Sequence, residues 1–264
     1  MLIAAGLLPL LEQMISNSEM FECVAALYLN LSCLNEAKLL IGSSKAVHFL
    51  IQVLQADNEG SSCKYDALHT LYNLSTHPAN IPFLVSSGII NSLHPLLGSP
   101  SVTEGIMWTE KALAVLINLA SSQAGRKEIV LTPGIFCGLA GVLDFGEPAE
   151  QDQAVSCLLI LCSSDERCSQ MVLQEGVIPS LVSISVNGTT KGKEKAERLL
   201  RLFREQRQRE PSPPPSKQQP QQVESDPGRQ VTMESKTFHK SKSKKFGRTL
   251  SLIWKNKSFS MYQC

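Results

Sequence analysis

Apolar residues recur along this chain at helical spacing, and the recurrence itself repeats. In ALHTLYNLS, residues 67 to 75, a small residue, Ala67, is followed by Leu71 and Leu74, with Asn73 six positions after the alanine. The same face returns at Val24, Ala112, Ala154 and Ala196, so successive copies are 43, 45, 42 and 42 residues apart. The leucines keep step: Leu27 and Leu31, Leu116 and Leu119, Leu158 and Leu161, Leu200 with Phe203. A second register runs through GLLPLL at Gly6, KAVHFL at Lys45, GIINSL at Gly88, GIFCGL at Gly134 and GVIPSL at Gly176, at steps of 39, 43, 46 and 42. A leading glycine suits a corner where one helix ends and the next begins, because it reaches positive φ at no steric cost. Lys45 breaks that pattern and predicts a looser second corner. A period in the low forties with helical spacing predicts an all-α array of stacked units. Each unit reads as a short helix, a corner, a second helix, a polar loop and a longer helix that carries the Asn position.

The pattern divides the chain. Residues 1–209 hold about five units, the first lacking its opening helix so that Met1 falls inside a unit and the N-terminus looks cut. The polar stretches DNEGSS, GSPSVTEG, DFGEPAEQD and NGTTKGKE are the expected loops before the long helices of units two to five. The last helix has Ala196, Leu199, Leu200, Leu202 and Phe203 on one side and Arg198, Arg201, Arg204, Arg207 and Arg209 on the other. That solvated face suits a terminating cap. Residues 210–235, with PSPPPSKQQPQQ, lack apolar residues to bury and are expected to be a disordered linker. Residues 236–264 form a basic tail interleaved with aromatics.

Charge sharpens this division. Residues 1–204 carry 13 Lys and Arg against 19 Asp and Glu, whereas residues 205–264 carry 12 against 5, so the overall +1 conceals an acidic array and a basic tail. Lys244, Lys245 and Arg248, followed by Leu250 and Trp254, offer the tail to an anionic membrane, nucleic acid or a nuclear import receptor. The apolar start MLIAAGLLPLL has no basic n-region or convincing cleavage site and is too short for a span, so a cytoplasmic or nuclear protein is expected, neither secreted nor membrane-spanning. The eight cysteines form no Cys-x-x-Cys pair, which argues against a zinc knuckle. No phosphate loop or nucleophile elbow is present, and the histidines stand apart from other ligand-type residues. No catalytic residue, metal or cofactor is assigned, and no small-molecule substrate is expected.

The unusual residue is the asparagine. Asn30, Asn73 and Asn118 share a register that continues as Ile160 and Leu202. Asn costs several tenths of a kcal/mol against Ala inside a helix, so three in step point to a shared task. Four and eight residues earlier on the same face lie Ala26 and Glu22, His69 and Tyr65, Ala114 and Glu110. A hydrogen bond between units or an exposed polar position would also account for the asparagine.

The succession of glycine, apolar pair, Leu-Leu, polar loop, Ala and Leu-x-Asn-Leu resembles the armadillo repeat. The closing KAERLLRLFREQRQRE, the proline-rich stretch and the basic end SLIWKNKSFSMYQC resemble the C-terminal part of plant U-box proteins with armadillo repeats. The first resemblance implies a right-handed superhelix, an α-solenoid whose long helices line a groove for an extended protein segment. It also implies that Asn30, Asn73 and Asn118 hold the segment's backbone, beside Glu22, Tyr65, His69 and Glu110. Nuclear import receptors place tryptophan four before the asparagine; Ala26, His69 and Ala114 stand there here, so classical import signals are not the expected ligand. The second resemblance implies the substrate-recognition part of a ubiquitin-protein ligase. No segment here resembles a U-box, so this chain is expected to bind a protein substrate or regulator and to show no ligase activity alone, although the family leaves enzymatic function open. The alternative is a nuclear transport, nucleic-acid or membrane-associated adaptor working through the tail.

Overall fold

The structure is a computed structural model describing residues 2–56, 60–97 and 108–209. The helical periodicity is realised as α1 (Leu2–Met14), α2 (Phe21–Ser32), α3 (Asn35–Gly42), α4 (Ala46–Gln55), α5 (Ser61–Ser75), α6 (Ile81–Ser86) and α7 (Ile89–Leu93). It continues as α8 (Trp108–Ala120), α9 (Gln123–Leu131), α10 (Ile135–Phe145), α11 (Pro148–Ser164), α12 (Glu166–Gln174), α13 (Ile178–Asn187) and α14 (Thr190–Arg209). Among the described residues there is no strand.

The long helices α2, α5, α8, α11 and α14 form a row in which each packs on the next. Behind them α4, α7, α10 and α13 pack on α5, α8, α11 and α14 respectively. This is an armadillo-type α-solenoid. Val24, Ala67, Ala112, Ala154 and Ala196 are all 0% exposed, so the small residue of the register lies where a larger side chain would overpack the row. Leu31, Leu71, Leu74, Leu116, Leu119, Leu158 and Leu161 join one continuous core with them.

The corners follow the glycine pattern only in part. Gly88, Gly134 and Gly176 have φ of 77°, 76° and 74°. Gly6 instead lies within α1, so no corner forms there. Lys45 has φ −64°, a conformation open to any residue.

Two loops are shorter than their polar sequences predict. In DFGEPAEQD only Gly146 and Glu147 separate α10 from α11, because Pro148 opens the helix and Glu147 and Glu150 form a capping box over its first turn. In NGTTKGKE only Gly188 and Thr189 are outside helices, and the Gly192 amide donates to the Thr189 hydroxyl at 2.9 Å. The stretch 98–107, covering all of the GSPSVTEG loop, and residues 57–59 of DNEGSS lie outside the described residues.

Polar side chains close the turns between units. Asn80, fully buried, donates to the carbonyls of Lys38 at 2.9 Å and Leu74 at 3.1 Å. Arg126 does the equivalent one unit on, donating to the Ala120 and Ser121 carbonyls at 2.8 and 3.1 Å. Among these acceptors, the Leu74 and Ala120 carbonyls lie in the last turns of α5 and α8, where helix ends leave carbonyls without an intrahelical donor.

Candidate functional site

The long helices bring the asparagine register into one line, and its hydrogen bonds run between units. Asn73 Nδ2 donates to Ser32 Oγ at 2.9 Å, and Asn118 Nδ2 donates to Ser75 Oγ at 2.9 Å. Each serine donates onward to its own helix, Ser32 to the Leu29 carbonyl and Ser75 to the Tyr72 carbonyl, both at 2.7 Å. The serine therefore accepts from the next unit's amide. In the following step the serine position is Ala120 and the asparagine position is Ile160, so both partners are apolar together. Asn30 is exposed and donates back to the Ala26 carbonyl at 2.8 Å.

Each inter-unit bond uses one amide N–H. Among the described residues no donor reaches Oδ1 of Asn73 or Asn118, which leaves each carbonyl oxygen available to a ligand.

One to two turns before these asparagines, the row carries an aromatic cluster. The Tyr65 ring meets Trp108 edge-on, with centroids 6.0 Å apart and planes at 87°, and meets His69 at 5.7 Å. His69 lies 6.2 Å from Tyr72, and Lys111 Nζ stands 4.4 Å over the Tyr72 ring. A cleft of about 170 Å³ opens here across α5, α8 and α11, lined by Tyr65, Tyr72, Glu110, Lys111, Ala114 and Gln153. Gln153 Nε2 donates to Glu110 Oε1 at 3.4 Å, while its Oε1 is buried with no donor among the described residues. An acceptor left unpaired in a cleft favours a ligand that brings an N–H or O–H.

Its surroundings favour the neutral form of this histidine. Burial lowers the His69 pKa below its ordinary value, Lys111 lowers it further, and Asp66 opposes both. Asp66 is raised, first by burial and then by Glu22 of the preceding unit, with His69 pulling the other way.

Of the residues expected from the sequence, Tyr65 and Glu110 line the same cleft and His69 packs on Tyr65. Glu22 is exposed and acts on the cluster through Asp66. Tyr72, Trp108, Lys111 and Gln153 are additional. Lys111 lies beside Glu110, and Gln153 lies one period after it, so a wider reading of the register would have reached both. Lys244, Lys245, Arg248 and Trp254 of the tail lie outside the described residues. Among the described residues no three His, Cys, Asp or Glu side chains converge as metal ligands, and no single helix is long and apolar enough to cross a membrane.

Stacked three-helix units whose asparagine-bearing helices line one face define an armadillo-repeat protein. Solved structures of designed proteins share the architecture. Computationally designed armadillo repeat proteins for modular peptide recognition superpose with a TM-score of 0.67 over 76% of this chain and 84% of theirs, at 19% identity. A designed armadillo repeat protein in complex with the peptide (KR)4 does so with 0.64 over 76% and 84%, at 20% identity. Within that class the chain belongs to the plant U-box proteins: residues 6–214 match the plant U-box protein ARM repeat region. U-box domain-containing protein 45 of Arabidopsis thaliana is 51% identical over 269 residues, covering 100% of this chain and 34% of the relative. U-box domain-containing protein 7 of the same plant is 50% identical over 85% of this chain and 28% of its own length. The chain thus spans about a third of the length of the curated relatives it matches.

Proposed function

We propose that this armadillo array is the substrate-recognition part of a U-box-type ubiquitin ligase and that it holds an extended segment of its protein partner along the long helices. The observation that carries the reading is the cleft shared by α5, α8 and α11. One ligand spanning it touches three units at once, and Gln153 Oε1, Glu110 and the aromatic edges offer acceptors and flat apolar surface together.

The chemistry of the cleft narrows the ligand. Lys111 already occupies the Tyr72 face, so a peptide cation gains little there. Glu110 is the carboxylate of the cleft and, with Gln153 Oε1, suits a segment that presents backbone N–H groups or a hydroxyl-bearing side chain. The asparagine carbonyls further along α5 and α8 accept in the same way. The link to ubiquitination rests on the U-box relatives by name and on the matched family. In this reading residues 1–209 recognise, and the ubiquitin-transfer machinery is engaged by other parts of the longer relatives.

Peptide-display selection on the intact chain, followed by fluorescence anisotropy of the selected peptides, tests the cleft. Tyr65→Ala and Glu110→Lys are each expected to weaken binding by about tenfold, close to 1.4 kcal/mol, with unchanged circular dichroism. Selected peptides that bind both variants as well as the parent would place recognition elsewhere.

A further inference from the structure

Beyond the row of long helices, the last unit has a larger opening. A cleft of about 710 Å³ lies between α12 and α14 with α13 as its floor. Its apolar lining is unusually open: Leu173, Ile178 and Val182 are 37%, 38% and 47% exposed. The α12 wall runs from Glu166 to Leu173 and the α14 wall from Leu200 to Arg207, in both cases about 10 Å of helix. Two walls of two turns each, with apolar side chains of α13 between them, fit a third helix lying in the cleft.

Two buried polar atoms of lining residues have no nitrogen or oxygen partner among the described residues. Gln206 is held by its nitrogen end, with Nε2 3.4 Å from the Cys162 carbonyl, and its Oε1 is buried with no donor among the described residues. Ser169 is 2% exposed; its hydroxyl lies beside the Cys162 thiol, and no protein nitrogen or oxygen among the described residues pairs with it. An array that merely exposed an apolar end would not need such atoms, since each unpaired buried group is costly.

Charge selects the occupant. Arg204 and Arg207 stand on the α14 rim with no carboxylate partner among the described residues, while Glu166 stands on the α12 rim. We propose that this cleft docks a short amphipathic helix of a partner protein. Its apolar residues recur at i, i+3, i+4 and i+7, acidic residues flank them on the α14 side, and a hydroxyl or amide side chain reaches Gln206. The site shares no lining residue with the α5, α8 and α11 cleft, so one array would hold an extended segment and a helix independently.

The test uses the intact chain and a fluorescein-labelled synthetic helix of about 14 residues, with Leu on one face and Glu beside it. A matched peptide with Lys for Glu and a scrambled peptide serve as controls. The Glu peptide is expected to bind saturably, about tenfold tighter than the Lys peptide. Val182→Asp should weaken it about tenfold, and Arg204→Glu should weaken it while improving the Lys peptide. Val182 is 47% exposed, so its substitution leaves the core intact, as circular dichroism would verify. Tyr65→Ala should not change this affinity, which keeps the outcome separate from that of the other cleft. Equal binding of the Glu and Lys peptides, indifference to Val182→Asp, or no saturation overturns the proposal. Self-association that is lost in Val182→Asp also overturns it, in favour of a second copy of this chain.

Discussion

At the scale of single residues, Asn73 and Asn118 join one unit to the next. Removing Asn73 leaves the Ser32 hydroxyl without its donor, so Asn73→Ala is expected to cost about 1 kcal/mol in chemical denaturation. Ser32→Ala should cost a similar amount, and the double variant less than the sum, because both act on one bond. Additive losses would separate the two residues. The register of Asn30, Asn73 and Asn118 was legible in the sequence, but its partner was not: Ser32 and Asn73 are 41 residues apart and meet only when units stack. The clue was present in the Leu-x-Leu-Ser and Asn-Leu-Ser endings of α2 and α5, which place a hydroxyl two positions after each asparagine. Tyr28 is a second informative residue. Its buried hydroxyl has no partner among the described residues, and burial, reinforced by Glu12, pushes its pKa up to about 12 from 10.0. The unfolded chain releases this proton first, so stability is unaffected below the lower value and falls as pH climbs between the two, by about 1.4 kcal/mol per unit. Tyr28→Phe should remove that component of the alkaline loss and be neutral or slightly stabilising at pH 7, as paired denaturation curves at neutral and alkaline pH would reveal.

At the scale of elements, corners and helix starts decide where the units turn. Gly134 has positive φ, and a Cβ there would also lie 3.2 Å from the His94 ring, whereas a Cβ on Gly88 would meet open space. Gly134→Ala is therefore expected to lower stability by more than Gly88→Ala, which carries only the backbone strain of about 1 to 2 kcal/mol; melting temperatures would rank them. The glycine pattern revealed three of these corners, but it could not place Gly6, because a glycine inside α1 looks the same in sequence as one beside a turn. Nor did polarity locate the starts of α11 and α14, since first-turn residues such as Glu150 and Lys191 are polar for capping and solvation, as loop residues are. Helix packing also sorts the thiols. Cys23, Cys33 and Cys137 are exposed, whereas Cys63, Cys157, Cys162 and Cys168 are buried. Burial pushes Cys157 and Cys162 up to about 12, with a neighbouring thiol adding to the shift at Cys157. Alkylation at pH 8 read by mass spectrometry should label the exposed three rapidly and the buried four only in denaturant.

At the scale of the whole array, stability is a sum over neighbouring units. Leu116 is fully buried in α8, which packs on both α5 and α11, so Leu116→Ala should cost about 2 to 5 kcal/mol and broaden the urea transition as the units on either side uncouple. A narrow, merely shifted transition would mean that the units unfold as one. This architecture was legible because its period needed only apolar spacing. The cleft was legible in part, through Tyr65 and Glu110 that line it and His69 that packs on Tyr65; Tyr72 lines it and Trp108 supports it through placements that the asparagine register does not express.

The change from Asn118 over Ser75 to Ile160 beside Ala120 also has a mechanical consequence. Amide-to-hydroxyl links resist sliding because they break when displaced, whereas methyl groups can shift past one another with little loss. Pulled from its ends or bent around a bulky target, the molecule should yield first at the joint between α8 and α11, where the long 3.4 Å bond from Gln153 to Glu110 stands in for the shorter links, while the bolted stretch from α2 to α8 stays stiff.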